Sequence, residues 1–128
     1  MIILWDSADK SVSLEIIQGG QRWKYEWQAD RTLALGMLQF LTDKLALHEA
    51  NFSDIKGIGV MRGPGSYTGL RIGLTVMNTL AADQSIPIVG AIGDAWRSRC
   101  IQRLNAGEDD KVVLPEYGGE AHITKPRK

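Results

Sequence analysis

"RGPGSYTGLRIG", Arg62–Gly73, holds four glycines and one proline in twelve residues. "IKGIGVM" precedes it and "LTVMNTLAA" follows it. The first flank reads as a strand bounded by glycine. The second belongs to a helix expected over residues 67–82. A glycine-rich turn between strand and helix is a unit of α/β architecture. Such a turn can hold an anion, carry a reactive hydroxyl, or shape a helix for close packing.

The anion reading rests on the backbone N–H groups at a helix start. The phosphate-loop spacing G-x-x-x-x-G-K-[ST] is absent. Counting from Gly65, the sixth residue is Leu70 and the next is Arg71. The dinucleotide pattern also fails, because Thr68 stands where a third glycine belongs and Gly69 comes one residue late. A nucleophilic Ser66 or Thr68 needs an activating base. The only histidines are His48, near a helix end, and His122, in the tail. The G-x-S-x-G elbow is absent too, since Gly65 directly precedes Ser66. Ser66 reads better as a helix N-cap, contributing ~1 kcal/mol. In the packing reading, Gly69 and Gly73 stand four residues apart and share one helix face. Each costs about 1 kcal/mol of helix propensity against alanine, and together they allow another backbone to come close.

Upstream, "MIILW" is a short buried strand and "DSAD" a turn. "SVSLEII" alternates from Val12, with Leu14 and Ile16 on the same face. After the turn "QGGQ", "RWKYEW" alternates again through Trp23, Tyr25 and Trp27. This predicts a three-stranded meander. Asp30 reads as an N-cap of a helix running to about His48. Its apolar residues cover more than one face, as do those of the helix after the glycine-rich turn. Either the two helices bury each other in one core, or they present a patch to a partner. Downstream, "QSIPIVGA" is a strand started or edged by Pro87, and "GDAWRSRCIQRLNAG" a third helix. Arg97, Arg99 and Arg103 read as its solvated face, with nucleic-acid contact as the sharper alternative. "KVVLPEY" reads as a final strand broken by Pro115, and "GGEAHITKPRK" as a polar tail with a small basic tip. The order β-β-β-α-β-α-β-α implies a mixed sheet covered by helices, an α/β domain.

The chain has 128 residues, fitting one domain, with 44% hydrophobic and 23% charged residues. Lys plus Arg number 15 and Asp plus Glu number 15. That balance argues against strong nucleic-acid binding by this chain alone. One cysteine, Cys100, excludes an intramolecular disulfide, fits a reducing cytosol, and reads as an inert packing residue. The opening run turns charged at Asp6, too soon for a membrane span. The expectation is a cytoplasmic protein without a membrane contact.

The stretch "MRGPGSYTGLRIG" resembles the signature "GRGPGSFTGLRIG" of the bacterial TsaB family, also called YeaZ. Arg62, Gly63, Pro64, Gly65, Ser66, Thr68, Gly69, Arg71, Ile72 and Gly73 match, and Tyr67 replaces Phe. "IILWDSADKSVSLEI" is similar to the family's opening, with Asp6 in place. The resemblance covers roughly residues 1–107. It implies the ribonuclease-H-like sheet of the actin-like ATPase superfamily, here five-stranded and mixed. It also implies a non-catalytic subunit that binds the TsaD transferase, which adds threonylcarbamoyl to the adenosine beside the anticodon of ANN-reading tRNAs.

The implied contact is a helical bundle with TsaD or a second copy. Leu33, Met37, Leu41, Gly69, Leu70, Gly73, Leu74 and Met77 are its expected residues, with Gly69 and Gly73 allowing close helix approach. No cofactor or metal is expected. A TsaE-like ATPase and tRNA would be reached only through the complex. Family members carry a second domain with a motif like "DARRGEVY". Its absence here suggests a reduced form, with residues 108–128 as a terminal strand and tail. Two further readings stay open. One is an ATP-dependent enzyme of the same superfamily with Asp6 on its metal, set against the simpler reading of Asp6 as a turn cap. The other is a stand-alone homodimeric binding protein.

Overall fold

The opening apolar run forms β1 (Ile2–Asp6), and the two alternating segments form β2 (Ser11–Gln18) and β3 (Gln21–Gln28). Gly19 and Gly20, with φ of 61° and 81°, make the two-residue turn between β2 and β3. Both left-handed positions of such a hairpin turn favour glycine. Then follow α1 (Leu33–Ala46), a 3-10 turn (Phe52–Asp54), β4 (Gly57–Gly63), α2 (Tyr67–Gln84), β5 (Ile88–Ile92) and α3 (Trp96–Asn105). The structure, a computed structural model, describes residues 1–29 and 32–117. Asp30, His122 and the basic tip at Lys125, Arg127 and Lys128 lie outside the described residues.

The five strands form one sheet in the order β3-β2-β1-β4-β5. β1 runs antiparallel to β2 and parallel to β4, and β4 runs parallel to β5. This is the expected mixed sheet and element order.

The sheet has two faces because strand side chains alternate. Ile3, Trp5, Val12, Leu14, Ile16, Ile58, Val60 and Ile88 face α1 and α2. Leu4, Val89 and Ala91 face α3 through Trp96 and Cys100. Gly59 admits α3 to that second face: a Cβ there would stand 2.7 Å from both Cys100 Cβ and Leu4 Cδ2. Trp23, Tyr25 and Trp27 pack as partly buried cover over the core, as expected of their shared strand face.

The final segment differs from expectation. Residues 111–117 form no strand. The alternation that suggested one is present, with Val113 buried between exposed Val112 and Leu114. Its main chain, however, bonds to the Asn78 side chain and to Arg62 rather than joining a ladder.

Candidate functional site

The glycine-rich turn is clamped to the end of β1. Gly63 ends β4 with φ 138°, a conformation open to glycine, and the Gly63–Pro64 peptide is cis. Ser66 N–H donates to Ala8 O at 2.8 Å. Ser66 also caps α2, its hydroxyl accepting from Gly69 N–H at 3.3 Å. Ser7 lies alongside. Its hydroxyl accepts from Trp5 Nε1–H at 3.1 Å and donates to Gly69 O at 2.9 Å. A Cβ on Gly65 would stand 2.5 Å from Ala8 Cβ, and one on Gly69 would stand 2.3 Å from Ser7 O. The glycine stripe is therefore filled by this chain's own β1–β2 turn. The expectation that Gly69 and Gly73 admit a partner helix is corrected: Ser7 occupies the space where another backbone would approach, Gly73 is buried, and Gly69 keeps only part of its surface.

Beside this clamp lies a cleft of about 710 Å³, lined by Asp9, Lys10, Thr32, Ser66, Thr68 and Gly69 with apolar neighbours. Thr68 is exposed at its mouth. Asp6 does not line it. One Asp6 carboxylate oxygen accepts from Ala8 N–H at 2.9 Å, the geometry of a turn cap. Among the described residues no group of His, Cys, Asp or Glu could hold a metal ion. His48 Nε2 is 2.7 Å from Tyr25 OH, and its ring lies 4.5 Å from that of Trp23, far from the glycine-rich turn.

The apolar stripes of α1 and α2 that sequence reading assigned to a partner are core. Leu33 is 5% exposed, Leu74 3%, and Met37, Leu41, Leu70 and Met77 0%. Side chains buried to this extent in their own core leave almost no surface for another protein, so this assignment is corrected too. The outward face is a different one. On α1, Leu35 and Leu38 stand three residues apart, 89% and 48% exposed. Next to Leu38 runs a groove of about 320 Å³, lined also by Phe52, Thr75, Val76, Thr79, Leu80 and Asp83. Sequence reading found the surplus of apolar surface on both helices but gave it to the wrong stripe. The i, i+3 pair Leu35–Leu38, outside the stripe of Leu33, Met37, Leu41 and Leu45, was the signal available.

The arginine face of α3 is also rearranged. Arg97 Nε stands 2.5 Å from Glu15 Oε2 without hydrogen-bond alignment, while its Nη2 donates to Ser13 Oγ at 3.2 Å. Glu15 is buried on the sheet and also accepts from Arg22 Nη2 at 2.6 Å. Arg103 binds Glu108, Asp110 and the Gly90 carbonyl. Of the three, only Arg99 is exposed, while Arg97 and Arg103 are half-buried. At the start of α2, Tyr67 lies 4.6 Å from Tyr117 between ring centroids, and the Arg71 guanidinium sits 5.6 Å from the Tyr67 ring centre. Arg62 Nε donates to Leu114 O at 2.8 Å. Pro64, Ser66, Tyr67, Thr68 and Arg71 nonetheless remain exposed at the surface.

Residues 28–91, half of the chain, match the model of the TsaD family, tRNA N6-adenosine threonylcarbamoyltransferase. The chain is 26% identical over 117 residues to the tRNA threonylcarbamoyladenosine biosynthesis protein TsaB of Escherichia coli, covering 87% of this chain and 51% of that protein. It is 49% identical over 47 residues to the tRNA N6-adenosine threonylcarbamoyltransferase of Syntrophus aciditrophicus, covering 35% of this chain and 14% of that protein. The solved structure of YeaZ from Pseudomonas aeruginosa superposes with a TM-score of 0.69 at 23% identity, covering 81% of this chain and 49% of that one. The chain spans about half the length of the TsaB relative. The structural match shows the shared actin-like, ribonuclease-H-like fold.

Proposed function

The chain belongs to the family of the TsaD model, and from that membership and its similarity to TsaB proteins we propose that it is a non-catalytic docking subunit of the machinery that makes threonylcarbamoyladenosine in tRNA. It binds a TsaD-like transferase through the outward face of α1 and α2 and holds that transferase in its working form. The observation that carries this reading is the exposed pair Leu35 and Leu38 beside the groove lined by Val76 and Leu80. Both helices already bury a full stripe on their own sheet, so this second apolar face is surplus to the fold. A partner helix laid into the groove would meet apolar anchors at Leu35, Leu38 and Val76, with Thr75, Thr79 and Asp83 as a polar rim.

Two features support a subunit without chemistry of its own. The sequence has no histidine pair at helical spacing, and His48 is engaged with Tyr25 and Trp23. The hydroxyl of Ser66 is occupied as a helix cap. tRNA and a TsaE-like ATPase are reached through the complex, in keeping with the balanced charge of the chain.

The test is the pair of changes Leu35→Asp and Leu38→Asp in one chain, mixed with TsaD of the same organism on a sizing column with light scattering. Neither side chain is part of the core, so the double variant should fold as the parent does. The parent should form a mixed complex that restores tRNA modification, and the variant should elute apart from TsaD. A variant that binds TsaD as tightly as the parent would remove this face from the interface. A parent that ignores TsaD and pairs with itself would support the stand-alone homodimer instead.

A further inference from the structure

β5 is an edge strand whose outer edge is closed by three side chains and one main-chain amide. Ile58 N–H donates to Pro87 O. In a parallel ladder this register turns the N–H and C=O groups of Ile88 and Gly90 away from β4. All four groups have partners. Ile88 N–H donates to Asp109 Oδ1 at 3.1 Å, and Ile88 O accepts from Asp110 N–H at 2.8 Å. Gly90 N–H donates to Asp110 Oδ2 at 3.1 Å, and Gly90 O accepts from Arg103 Nη1 at 2.9 Å. Two carboxylates, one amide and one guanidinium reproduce the donor and acceptor pattern of a sixth strand. Arg103 fixes the arrangement by pairing with Asp110 at 2.5 Å and Glu108 at 2.6 Å.

The same segment continues to the glycine-rich turn. Asn78 on α2 grips the Val113 main chain twice, donating to its carbonyl at 2.9 Å and accepting from its N–H at 2.8 Å. Glu116 N–H donates to Arg62 O at 2.6 Å. The Tyr117 ring then packs against Tyr67 at a tilt of 35°. Gly90 and Gly63 make room for the passage: a Cβ would stand 2.5 Å from Val113 Cγ1 at the first and 1.9 Å from Glu116 O at the second. Yet Val113 is the only buried residue of the segment. A stretch held by one apolar anchor and several partly exposed polar contacts opens at lower free energy than the sheet beneath it.

We propose that residues 108–117 form a latch that closes the β5 edge and the glycine-rich turn together, and that its release exposes β5 to pairing with the same edge of a second copy of this chain. The contrast between the two sheet edges supports a second copy as the occupant. β3 guards its own edge with Arg22, Lys24 and Glu26. β5, "IVGAI", has neither charge nor proline within it, so the latch is its one guard among the described residues. Two such edges brought together about a two-fold axis are self-complementary. This contact lies on the sheet edge and is independent of the helix face proposed for the transferase.

The test is amide hydrogen exchange by NMR on the intact chain and on Asp110→Asn, with light scattering across a concentration series. In the variant, Gly90, Val113 and Glu116 amides should exchange together, on the order of tenfold or more faster, with Val60 and Leu74 unchanged. A dimer should then appear with concentration and restore protection at Ile88 and Gly90. Should the variant unfold, the intact parent decides: raising salt from roughly 0.05 to 1 M screens Arg103 and should open the same amides together. Three results would overturn the proposal. The segment's amides could exchange only with global unfolding. The latch could open while the chain stays monomeric. Or the dimer could dissolve on Leu38→Asp, which would place the contact on the helix face.

Discussion

A Cβ on Gly73 would stand 2.0 Å from the hydroxyl oxygen of Ser7, in the middle of α2 and against the turn that leaves β1. The same Cβ would stand 2.7 Å from Trp5 Nε1, whose N–H donates to that hydroxyl. α2 is therefore seated on the sheet by a glycine, and the contact is internal to the fold.

The Gly73→Ala change should destabilise the chain by about 1–3 kcal/mol through overpacking and disruption of the Trp5–Ser7–Gly69 hydrogen bonds. Urea unfolding measures this as a lower midpoint at unchanged slope. Gly73→Trp should fail to fold, rather than fold and lose a partner as a helix-bundle role for this glycine predicted.

The Cys100 thiol should be silent in the folded state. Burial pushes it up to about 11, against a smaller opposing effect of hydrogen bonding to Val60. Little thiolate then exists near neutral pH, and the group has no exposed surface. Labelling with a thiol reagent should proceed only in denaturant, at the rate of unfolding. Gly59→Ala, which pushes into Cys100 and Leu4, should speed that labelling by loosening α3.

Replacing Glu15 with Ala should cost about 1–3 kcal/mol, less than a fully buried pair because Arg22 remains half exposed. The loss leaves Arg97, 30% exposed, facing the sheet without its carboxylate. A double variant with Arg97→Ala should recover part of the stability. Urea midpoints of the single and double variants check the coupling.

The latch should weaken in acid. The Arg103 guanidinium and the Gly90 N–H hold the Asp110 carboxyl below the usual carboxylate range, with the charges of Arg103 and Arg62 acting the same way. Asp109 is held down by the Ile88 N–H, then by the N–H and charge of Lys111, with Asp110 opposing. Glu108 also faces Arg103. A carboxyl whose folded pKa is lowered favours the folded state above its unfolded value of about 4, and this contribution is lost as pH falls through the folded value. The urea midpoint should thus drop between about pH 4 and 2, and the drop should be smaller in Asp110→Asn.

Local pattern made the architecture legible. The alternation of Val12, Leu14 and Ile16, the Gly19–Gly20 turn, the Ser66 cap and Pro87 at the head of β5 each express backbone and burial rules that act over a few residues. The motif Arg62–Gly73 pointed to the family. What those residues touch was not legible, because it depends on contacts between distant parts of the chain. Sequence showed that Leu33, Met37 and Leu74 were apolar and that Leu35 and Leu38 were too. Only the seating of α1 and α2 on the sheet decided which stripe became core and which stayed in water. Gly73 could equally have met a partner helix. Ser7, 66 residues earlier in the chain, filled the space. Arg103 read as a solvated charge until Asp110 and the Gly90 carbonyl were brought to it. Short-range sterics and periodicity determine the elements, while the partners of glycines, charges and helix faces follow from tertiary packing, where each contact excludes its alternatives.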